Sequence, residues 1–457
     1  MKRQETRRNF LKQTGYIAAA GTALAGAVIP HVHAASTDTI KLAIVGCGGR
    51  GMGAARQALN ADPNVKFWAA ADVFPEKVKT AVADLKRDFE GQNKGHLVDI
   101  APDRAFSDFD GYKKAMDSLD PGDVVLLTTP PAFRPLHFAY AVERGLHVFA
   151  EKALGVDVPA LKALRESNKI ARAKGLKIAV GLNNRHYLRT AEAVKEIHAG
   201  RLGDLYAFYL YRCQPGNAGV IKRQDSDQST TLQYQLRRQL RFNWLTGGYL
   251  VDCLVHNLDI CCWAKQQYPV AALGLGGRAF SPPVDEIIDN SSVQYTFADG
   301  KKMLLHTARI PNTWAAFRAV IHGSKGAAVL GEGVKDPKFY KDWNDEPVGE
   351  SFWTPQSKEN VSYQTEHDRL FKAIRENKEW NELDYGIDST FTAIMGRMAV
   401  ETGQRVTAEE AWASTYQYAP NVGAMTWETD PPAMPDKEGL YKMPMPGKAT
   451  VNDPYKG

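Results

Sequence analysis

The first half of the chain alternates apolar runs with segments of helical composition. Short apolar runs rich in β-branched, aromatic and alanine residues lie at 40–45, 65–71, 123–129, 147–150 and 177–180. Segments of helical composition lie between them, at 52–59, 138–144 and 158–174. Strands that are apolar on both faces and alternate with helices are typical of a parallel sheet covered on both sides. The pattern therefore predicts an α/β fold that begins with a doubly wound domain at residues 38–183.

Beyond residue 184 the strands follow one another through tight turns. Extended segments lie at 204–212, 293–297, 303–308, 318–322 and 327–330. Turn signals such as Ala298-Asp299-Gly300 join them in pairs, and helical patterns at 248–264 and 366–377 interrupt them. The pattern predicts a second α/β domain, 184–404, with an open antiparallel sheet. We expect its last helix, 389–402, to pack back on the first domain.

Residues 405–457 are predicted to form a C-terminal extension. From Tyr418 onward this segment is rich in Pro and Met and has little periodicity. We expect it to wrap the surface of the protein or of a neighbouring subunit.

The first 34 residues have the composition of an export signal. Arg7-Arg8 precede an uncharged stretch at 15–29 that is too short and too weakly apolar for a stable membrane span, and Val32-His33-Ala34 provides a cleavage site. The segment resembles a twin-arginine (Tat) signal, which predicts export of the folded protein to the periplasm or the medium by the Tat machinery. The alternatives are an uncleaved membrane anchor and a lipoprotein signal. A lipoprotein signal requires a cysteine at the cleavage site, and none lies there. We predict no stable membrane anchor.

Composition and charge exclude several classes of protein. The chain has 457 residues, 44% hydrophobic and 24% charged, which is typical of a globular protein. Its net charge is +5, and residues 1–34 carry five Lys and Arg against Glu5 alone, so the body is nearly neutral. A neutral body predicts no nucleic-acid partner. The five cysteines are odd in number and the histidines are scattered, so neither a disulfide framework nor a metal site is predicted.

A glycine fingerprint follows the first predicted strand. Gly46-Cys47-Gly48-Gly49-Arg50-Gly51 lies between that strand and a helix, the context that dinucleotide binding requires. The second strand ends at Asp72, where a carboxylate can accept both ribose hydroxyls and repel a 2′-phosphate. The alternatives are a common glycine-rich turn and a solvated aspartate. We expect a Rossmann domain that binds NAD rather than NADP.

Polar residues follow the later strands of the same domain. Thr129-Pro130, Glu151-Lys152 and Asn183 each come directly after an apolar strand. In doubly wound sheets ligands bind beyond the carboxyl ends of the strands. These residues are therefore predicted to line the cofactor crevice.

The helical pattern at 248–264 carries a candidate acid–base pair. Asp252 and His256 are four residues apart and so share a helix face. A carboxylate beside an imidazole raises its basicity and sets its tautomer, as a general base requires. Lys152, at a strand end over the crevice, can donate to a substrate hydroxyl, and cationic neighbours would lower its pKa. The alternative for the helix is a structural Asp–His pair.

The order of these motifs resembles the Gfo/Idh/MocA oxidoreductases. The likeness runs from about Thr39 to Gln404 and rests on Glu151-Lys152 and on the G-G-x-L-x-D-x-x-x-H-x-x-D motif at 247–259. The signal and the segment 386–407 resemble secreted bacterial members. The resemblance implies that Lys152, Asp252 and His256 are the catalytic lysine, aspartate and histidine, and that a homo-oligomer forms through the open sheet. The chain departs from the family at Ala153, which is usually Pro, and in its longer spacing to His137.

Several residues near this centre are candidates for a carbohydrate site. Aromatic faces stack on sugar C–H groups, and guanidinium groups bind hydroxyls. The candidates are Arg185, Tyr187, Arg212, Arg241 and Trp244. Tyr187 and Trp244 have an alternative place in the core between the domains.

These observations predict hydride transfer between NAD and a sugar hydroxyl. A redox-neutral NAD-dependent glycosidase and a catalytically silent sugar-binding protein are the alternatives. Because an exported protein finds no nicotinamide pool, we expect the cofactor to be loaded before export and to stay tightly bound.

Overall fold

The computed structural model describes residues 38–456, apart from 215–222, 225, 281, 345 and 348. The first domain contains strands β1 Ile40–Val45, β2 Val65–Ala71, β3 Ala105–Phe106, β4 Val124–Leu127, β5 His147–Ala150 and β6 Ile178–Val180. Its helices are α1 Gly49–Ala61, α2 Pro75–Glu90, α3 Gly111–Asp117, α4 Arg134–Glu143 and α5 Val158–Ala173.

The first sheet is fully parallel, as the apolar runs predict. Its strand order is β3-β2-β1-β4-β5-β6, and every neighbouring pair runs parallel. Alternate residues of β1 enter two different clusters, with Leu42 and Ile44 on one face and Ala43 and Val45 on the other. Because both faces are covered, no polar residue is tolerated in this strand after Lys41. The strand order reverses between β1 and β4, where a ligand crevice opens in such sheets.

The second domain is built around a larger sheet. Its strands are β7 Leu205–Cys213, β8 Ala271–Gly277, β9 Asn290–Thr296, β10 Lys302–Ala308, β11 Ala316–Gly323, β12 Gly326–Leu330, β13 Lys338–Tyr340, β14 Ser351–Trp353 and β15 Arg405–Thr407. Its helices are α6 Leu188–His198, α7 Thr231–Arg237, α8 Asn243–Thr246, α9 Gly248–Lys265, α10 Ser362–Arg375, α11 Leu383–Thr402 and α12 Ala408–Ala413.

This sheet is mixed, whereas the sequence predicts an antiparallel one. The order is β14-β13-β12-β11-β7-β10-β9-β8-β15, and β10 pairs with β7 in parallel, while the other pairs are antiparallel. The chain leaves β7, passes through α9 and enters β8 in the same direction as β7. The β8–β9–β10 meander then fills the gap, so β10 returns beside β7 in the same direction.

Helix α11 lies where the two domains meet. It packs against β8 and α9 of the second domain and against α5 and β6 of the first. The Leu154 N–H donates to Thr390 Oγ1 across this contact.

The predicted extension 405–457 begins with β15 and α12, which belong to the second domain, and the rest of it packs on its own chain. Tyr418, Met425 and Tyr441 are buried in one aromatic cluster with Phe74 and Trp244. This is the first of the two placements expected for it, and the cluster joins both domains.

The predicted Tat signal, residues 1–34, lies outside the described residues, so its export role stays a prediction. Within the described part of the chain, no helix combines the length and the apolar character needed to cross a membrane. All five cysteines lie in that part and are free thiols, and only Cys253 is not fully buried.

Candidate active site

The glycine turn after β1 is constrained on its inner side and open on its outer side. Gly46 has φ +103°, and a Cβ there would lie 2.7 Å from Thr128 C and from Thr129 N. A Cβ at Gly51 would lie 2.1 Å from the Gly46 carbonyl oxygen, whereas one at Gly48 or Gly49 would meet nothing within 4 Å. Helix α1 begins at Gly49 without a side-chain cap, which leaves its first N–H groups available to an anion. The turn therefore fits a pyrophosphate.

Asp72 is held at the end of β2 by backbone donors. Its Oδ2 accepts from the Cys47 N–H (2.8 Å) and its Oδ1 from the Phe74 N–H (3.0 Å). The carboxylate lines a crevice of about 690 Å³, part of it open to solvent, with Gly46, Gly48, Thr129 and Pro130. Lys77 lines the same crevice, with Nζ 4.7 Å from the centre of the Phe74 ring.

Two residues at or next to this crevice, Arg134 and His137, are missing from the sequence-based candidates or were discounted there. Arg134, 1% exposed, donates through Nη1 and Nη2 to the Thr129 carbonyl (2.9 and 2.8 Å) and through Nε to the Glu151 carbonyl (2.5 Å). Burial lowers the pKa of Arg134 to about 10. His137 lies 3.1 Å from Thr129 Oγ1 through Nδ1 and lines the crevice in spite of its longer spacing, and burial lowers its pKa to about 3. Both are neighbours of the predicted Thr129-Pro130 pair through α4, which begins at Arg134.

Arg50 connects the glycine turn to two carboxylates. It forms an ion pair with Glu151 at the end of β5, and its Nη2 lies 3.0 Å from Glu366 Oε1 on α10. Its guanidinium lies 4.4 Å from the ring centre of Tyr363. Glu366 is fully buried, and burial followed by the charge of Glu151 raises its pKa well above the usual range. Arg50 is therefore engaged by protein groups at the mouth of the glycine turn.

Lys152 and Asp252 form a pair between the two domains. Lys152 Nζ donates to the Asp252 carbonyl oxygen (2.6 Å) and lies 3.4 Å from Asp252 Oδ1. Burial disfavours the ammonium form, but Asp252 and the other nearby acidic groups outweigh it, so the Lys152 pKa is raised. The expectation of a lowered pKa is therefore wrong, because acidic neighbours rather than cations dominate around Nζ. The Lys152–Ala153 peptide is cis, with alanine where the resembled family has proline.

His256 lies on α9, one turn after Asp252, and is 4% exposed. Its Nδ1 has no hydrogen-bond partner. Asp252 Oδ1 lies 3.4 Å from Lys152 Nζ, and the role of Asp252 in setting the His256 tautomer stays a prediction. Burial, followed by the charges of Lys152, Arg212 and Arg50, lowers the His256 pKa well below its usual value. The imidazole is therefore neutral at neutral pH.

Arg212 is the substrate candidate that the structure brings to this pair. Its Nη1 donates to the Cys253 carbonyl (2.8 Å) and forms an ion pair with Glu332, while the guanidinium lies 4.4 Å from the Phe317 ring centre. Burial raises the pKa of Glu332, against the lowering effect of Arg212 and Lys152.

The other substrate candidates have protein partners. Arg185 is held by Asp259 through two hydrogen bonds of 2.8 and 2.9 Å. Arg241 forms a buried ion pair with Asp285, and the Tyr187 hydroxyl donates to the Lys335 carbonyl (3.0 Å).

Trp244 lies in the core rather than on a free face. It is 1% exposed in an aromatic cluster, and its indole N–H donates to Gln235 Oε1 (2.6 Å). The stacking role proposed for it is therefore wrong, because α8 lies buried against the segment 131–133. Its alternative place in the core is the observed one.

Asn183, the last cofactor candidate, follows β6 and donates through Nδ2 to Ser362 Oγ (2.9 Å) at the start of α10. Glu332, Tyr363 and Glu366 were not identified from the sequence. Glu366 opens the predicted helix 366–377, but no local pattern shows that this helix reaches the glycine turn.

The fold and the site define a two-domain α/β protein. A Rossmann-type domain supplies the glycine turn and most of the crevice. A mixed-sheet domain supplies Asp252 and His256 from helix α9.

Comparison with known proteins supports the family that the motifs indicate. Residues 190–329 match the family model for the GFO/IDH/MocA C-terminal domain. The scyllo-inositol 2-dehydrogenase (NAD(+)) of Bacillus subtilis (strain 168) is 23% identical over 215 residues, which are 46% of this chain and 56% of that protein. The inositol 2-dehydrogenase of Burkholderia cenocepacia (strain HI2424) is 25% identical over 49% of this chain and 54% of its own length. The chain thus spans about half the length of the curated relatives it matches.

Solved structures share the whole two-domain fold. The myo-inositol 2-dehydrogenase of Lactobacillus plantarum superposes with a TM-score of 0.59 at 21% identity, covering 81% of this chain and 99% of that one. The scyllo-inositol dehydrogenase of Lactobacillus casei, with bound NAD(H) and scyllo-inositol, superposes with a TM-score of 0.58 at 20% identity. The match covers 81% of this chain and 100% of that one. At these identities the likeness shows the fold.

Proposed function

We propose that the protein is an oxidoreductase that transfers hydride between a nicotinamide cofactor and a hydroxyl of a sugar or cyclitol. The observation that carries the proposal is the pairing of Lys152 with Asp252, one helix turn before neutral His256. Lys152 follows Glu151, whose carbonyl Arg134 ties to Thr129 in the wall of the dinucleotide crevice. The names of the similar proteins, inositol 2-dehydrogenases, support the class of substrate.

The residues of the crevice fit a nicotinamide dinucleotide. The open outer side of Gly48 and Gly49 and the uncapped start of α1 would hold the pyrophosphate, and Asp72 would hold the adenosine ribose. When bound, the nicotinamide ring accepts or donates the hydride. Asp72 favours NAD, whereas the ammonium group of Lys77, which lines the same crevice, would favour NADP.

The chain's own side chains handle the proton. His256 is neutral, so one of its ring nitrogens carries no proton and can accept the proton of a substrate hydroxyl. Lys152 remains an ammonium because its pKa is raised, so it can donate to the same oxygen and stabilise its developing negative charge. Asp252 holds Lys152 in place through both its carbonyl and its carboxylate. Arg212 and Glu332 close the side of the site next to Cys253 and can bind neighbouring hydroxyls.

We further propose that the protein is exported by the Tat machinery with the cofactor bound, and that it works as a homo-oligomer in the periplasm or the medium. Retention without an external pool requires nanomolar affinity or tighter, about −12 kcal/mol. The reduced cofactor is then reoxidised in place by a second substrate or by a later step on the same sugar.

The test is turnover by the purified mature chain with a panel of cyclitols and sugars. His256→Asn should lower turnover by about 10²–10⁴-fold, because it removes the group that accepts the proton. Lys152→Met should lower it by about 10²–10³-fold, because it removes the cation that stabilises the negative charge on the substrate oxygen. Nucleotide released on denaturation should stay near the wild-type amount in both. His198→Asn and Lys169→Met, exposed and outside the site, are the matched controls. Near-normal turnover in either site variant would reject the assignment.

Mass analysis of the products separates the alternatives. A dehydrogenase changes the oxidation level of the sugar, and a redox-neutral glycosidase returns a sugar at the same level with its glycosidic bond cleaved. A silent binding protein exchanges no substrate hydrogen with the cofactor.

A further inference from the structure

The C-terminal extension returns to the first domain beside the nucleotide crevice. The Tyr418 N–H donates to Asp157 Oδ2 (2.9 Å) next to α5, and residues 422–424 lie against 131–133. Trp427 follows, half-buried, with its ring centre 5.5 Å from that of Phe74 and 5.0 Å from that of Phe109. This part of the extension therefore contacts the first domain at several points.

The residues that Trp427 contacts belong to the wall of the crevice. Phe74 and Phe109 line it near Asp72, as does Asp108, whose Oδ1 lies 3.4 Å from the Trp427 indole nitrogen. In a Rossmann domain the acidic residue after the second strand marks the adenosine ribose. The aromatic wall therefore borders the adenosine half of the dinucleotide site.

A further part of the crevice lining comes from the second domain and is tied to the same extension. Leu236 and Gln239 line the crevice from α7 and the turn after it. Gln235, beside them, donates through Nε2 to the Ala433 carbonyl (2.6 Å), and the Tyr441 N–H donates to the Pro283 carbonyl (2.7 Å). The extension thus contacts elements of both domains that border the crevice.

We propose that the C-terminal extension retains the dinucleotide, with Trp427 as the positioning residue that holds Phe74 and Phe109 closed on its adenosine half. This inference rests on the proposed function, because it requires a dinucleotide in the crevice. Opening the adenosine end requires Phe74 or Phe109 to swing out, and Trp427 blocks that movement from behind. Loss of the indole frees both rings without removing any group that touches the reacting atoms.

The experiment measures release of NAD from the full mature chain, by dilution into an excess of a nucleotide-scavenging enzyme. Trp427→Ala should release NAD about ten-fold faster or more, since a preorganised wall is lost. Trp427→Phe should keep most of the wild-type retention. Trp343→Ala removes an indole of the second domain that is 44% exposed and donates to the Gly323 carbonyl, away from the crevice; it is the control and should leave the rate unchanged. Turnover at saturating NAD should stay within about two-fold in all three, while the KM for NAD rises only in Trp427→Ala.

Hydrogen exchange on the wild-type chain provides a second measurement, which does not depend on the folding of a variant. If the extension closes over the nucleotide, saturating NAD should slow amide exchange across 421–434 by about ten-fold, because the nucleotide binds the closed form. An unchanged release rate in Trp427→Ala, or unchanged exchange with NAD, overturns the retention proposal alone. Failure of the wild-type chain to bind NAD after its removal overturns the proposed function together with it.

Discussion

Replacing Gly51 by alanine tests whether the glycine turn is shaped for a dinucleotide. The added Cβ would lie 2.1 Å from the Gly46 carbonyl oxygen and 2.7 Å from Thr128 Oγ1. Ordinary contact needs about 3.3 Å, so the carbonyl must withdraw by roughly 1 Å. That carbonyl accepts a 2.6 Å hydrogen bond from Thr128 Oγ1, directly after β4, so the movement disturbs the ends of β1 and β4 at once.

Overpacking of this kind costs about 1–3 kcal/mol of folding free energy. Because the displaced backbone is the surface that a pyrophosphate would contact, affinity for NAD should fall by about ten-fold or more. Urea unfolding measures the first effect, and calorimetric titration of nucleotide-free protein with NAD measures the second.

Gly48→Ala is the matched control, because its Cβ meets nothing within 4 Å. It should leave the free energy of unfolding within about 0.5 kcal/mol of wild type and yet weaken NAD binding, since its methyl group projects into the space for the ligand. A Gly51→Ala protein with wild-type stability and affinity would refute this account of the turn.

Three further predictions follow from the site and its supports. Asp72→Ala should weaken NAD binding by about ten-fold or more and reduce the preference for NAD over NADP, because Lys77 remains to attract a 2′-phosphate. An equal loss of affinity for NAD and NADP in direct titrations would contradict this. Burial raises the pKa of Glu286 from 4.5 to about 7, so its contribution to stability is present at low pH and is lost as pH rises through about 7. Between pH 5 and 8 the free energy of unfolding, measured in urea, should fall by roughly 2–3 kcal/mol more in the wild type than in Glu286→Gln. If this free energy depends on pH equally in both proteins, Glu286 does not titrate in that range. Arg134→Met should destabilise the protein by about 2–4 kcal/mol in the same assay, because two buried carbonyls lose their donor, and Arg144→Met at the end of the same helix should cost under about 1 kcal/mol.

The first domain could be predicted from local pattern. Each buried strand is a short apolar run, and a parallel sheet with both faces covered needs nothing else to mark it. The glycine turn and Asp72 could be located too, because their spacing relative to β1 and β2 is local. The Gly300 turn, with φ +81°, likewise marks the β9–β10 hairpin.

Pairings between distant segments could not be predicted in this way. The parallel contact of β10 with β7 depends on how far α9 carries the chain before β8 begins. Strands β13, β14 and β15 have three residues each, which is too short to show alternation.

The amino-acid sequence by itself determined which residues could do chemistry: a dinucleotide turn, an acidic strand end, a lysine, and an aspartate and histidine on one helix face. Only the tertiary structure decided their partners. Lys152 and Asp252 are a hundred residues apart along the chain, and their contact exists only in the folded protein. Trp244 became core because the segments around Phe133 and around Gln235 pack against it. Trp427 reached the wall of the crevice because the extension contacts both domains. Local periodicity reports which face of an element is apolar, whereas the neighbour that covers that face depends on the path of the whole chain.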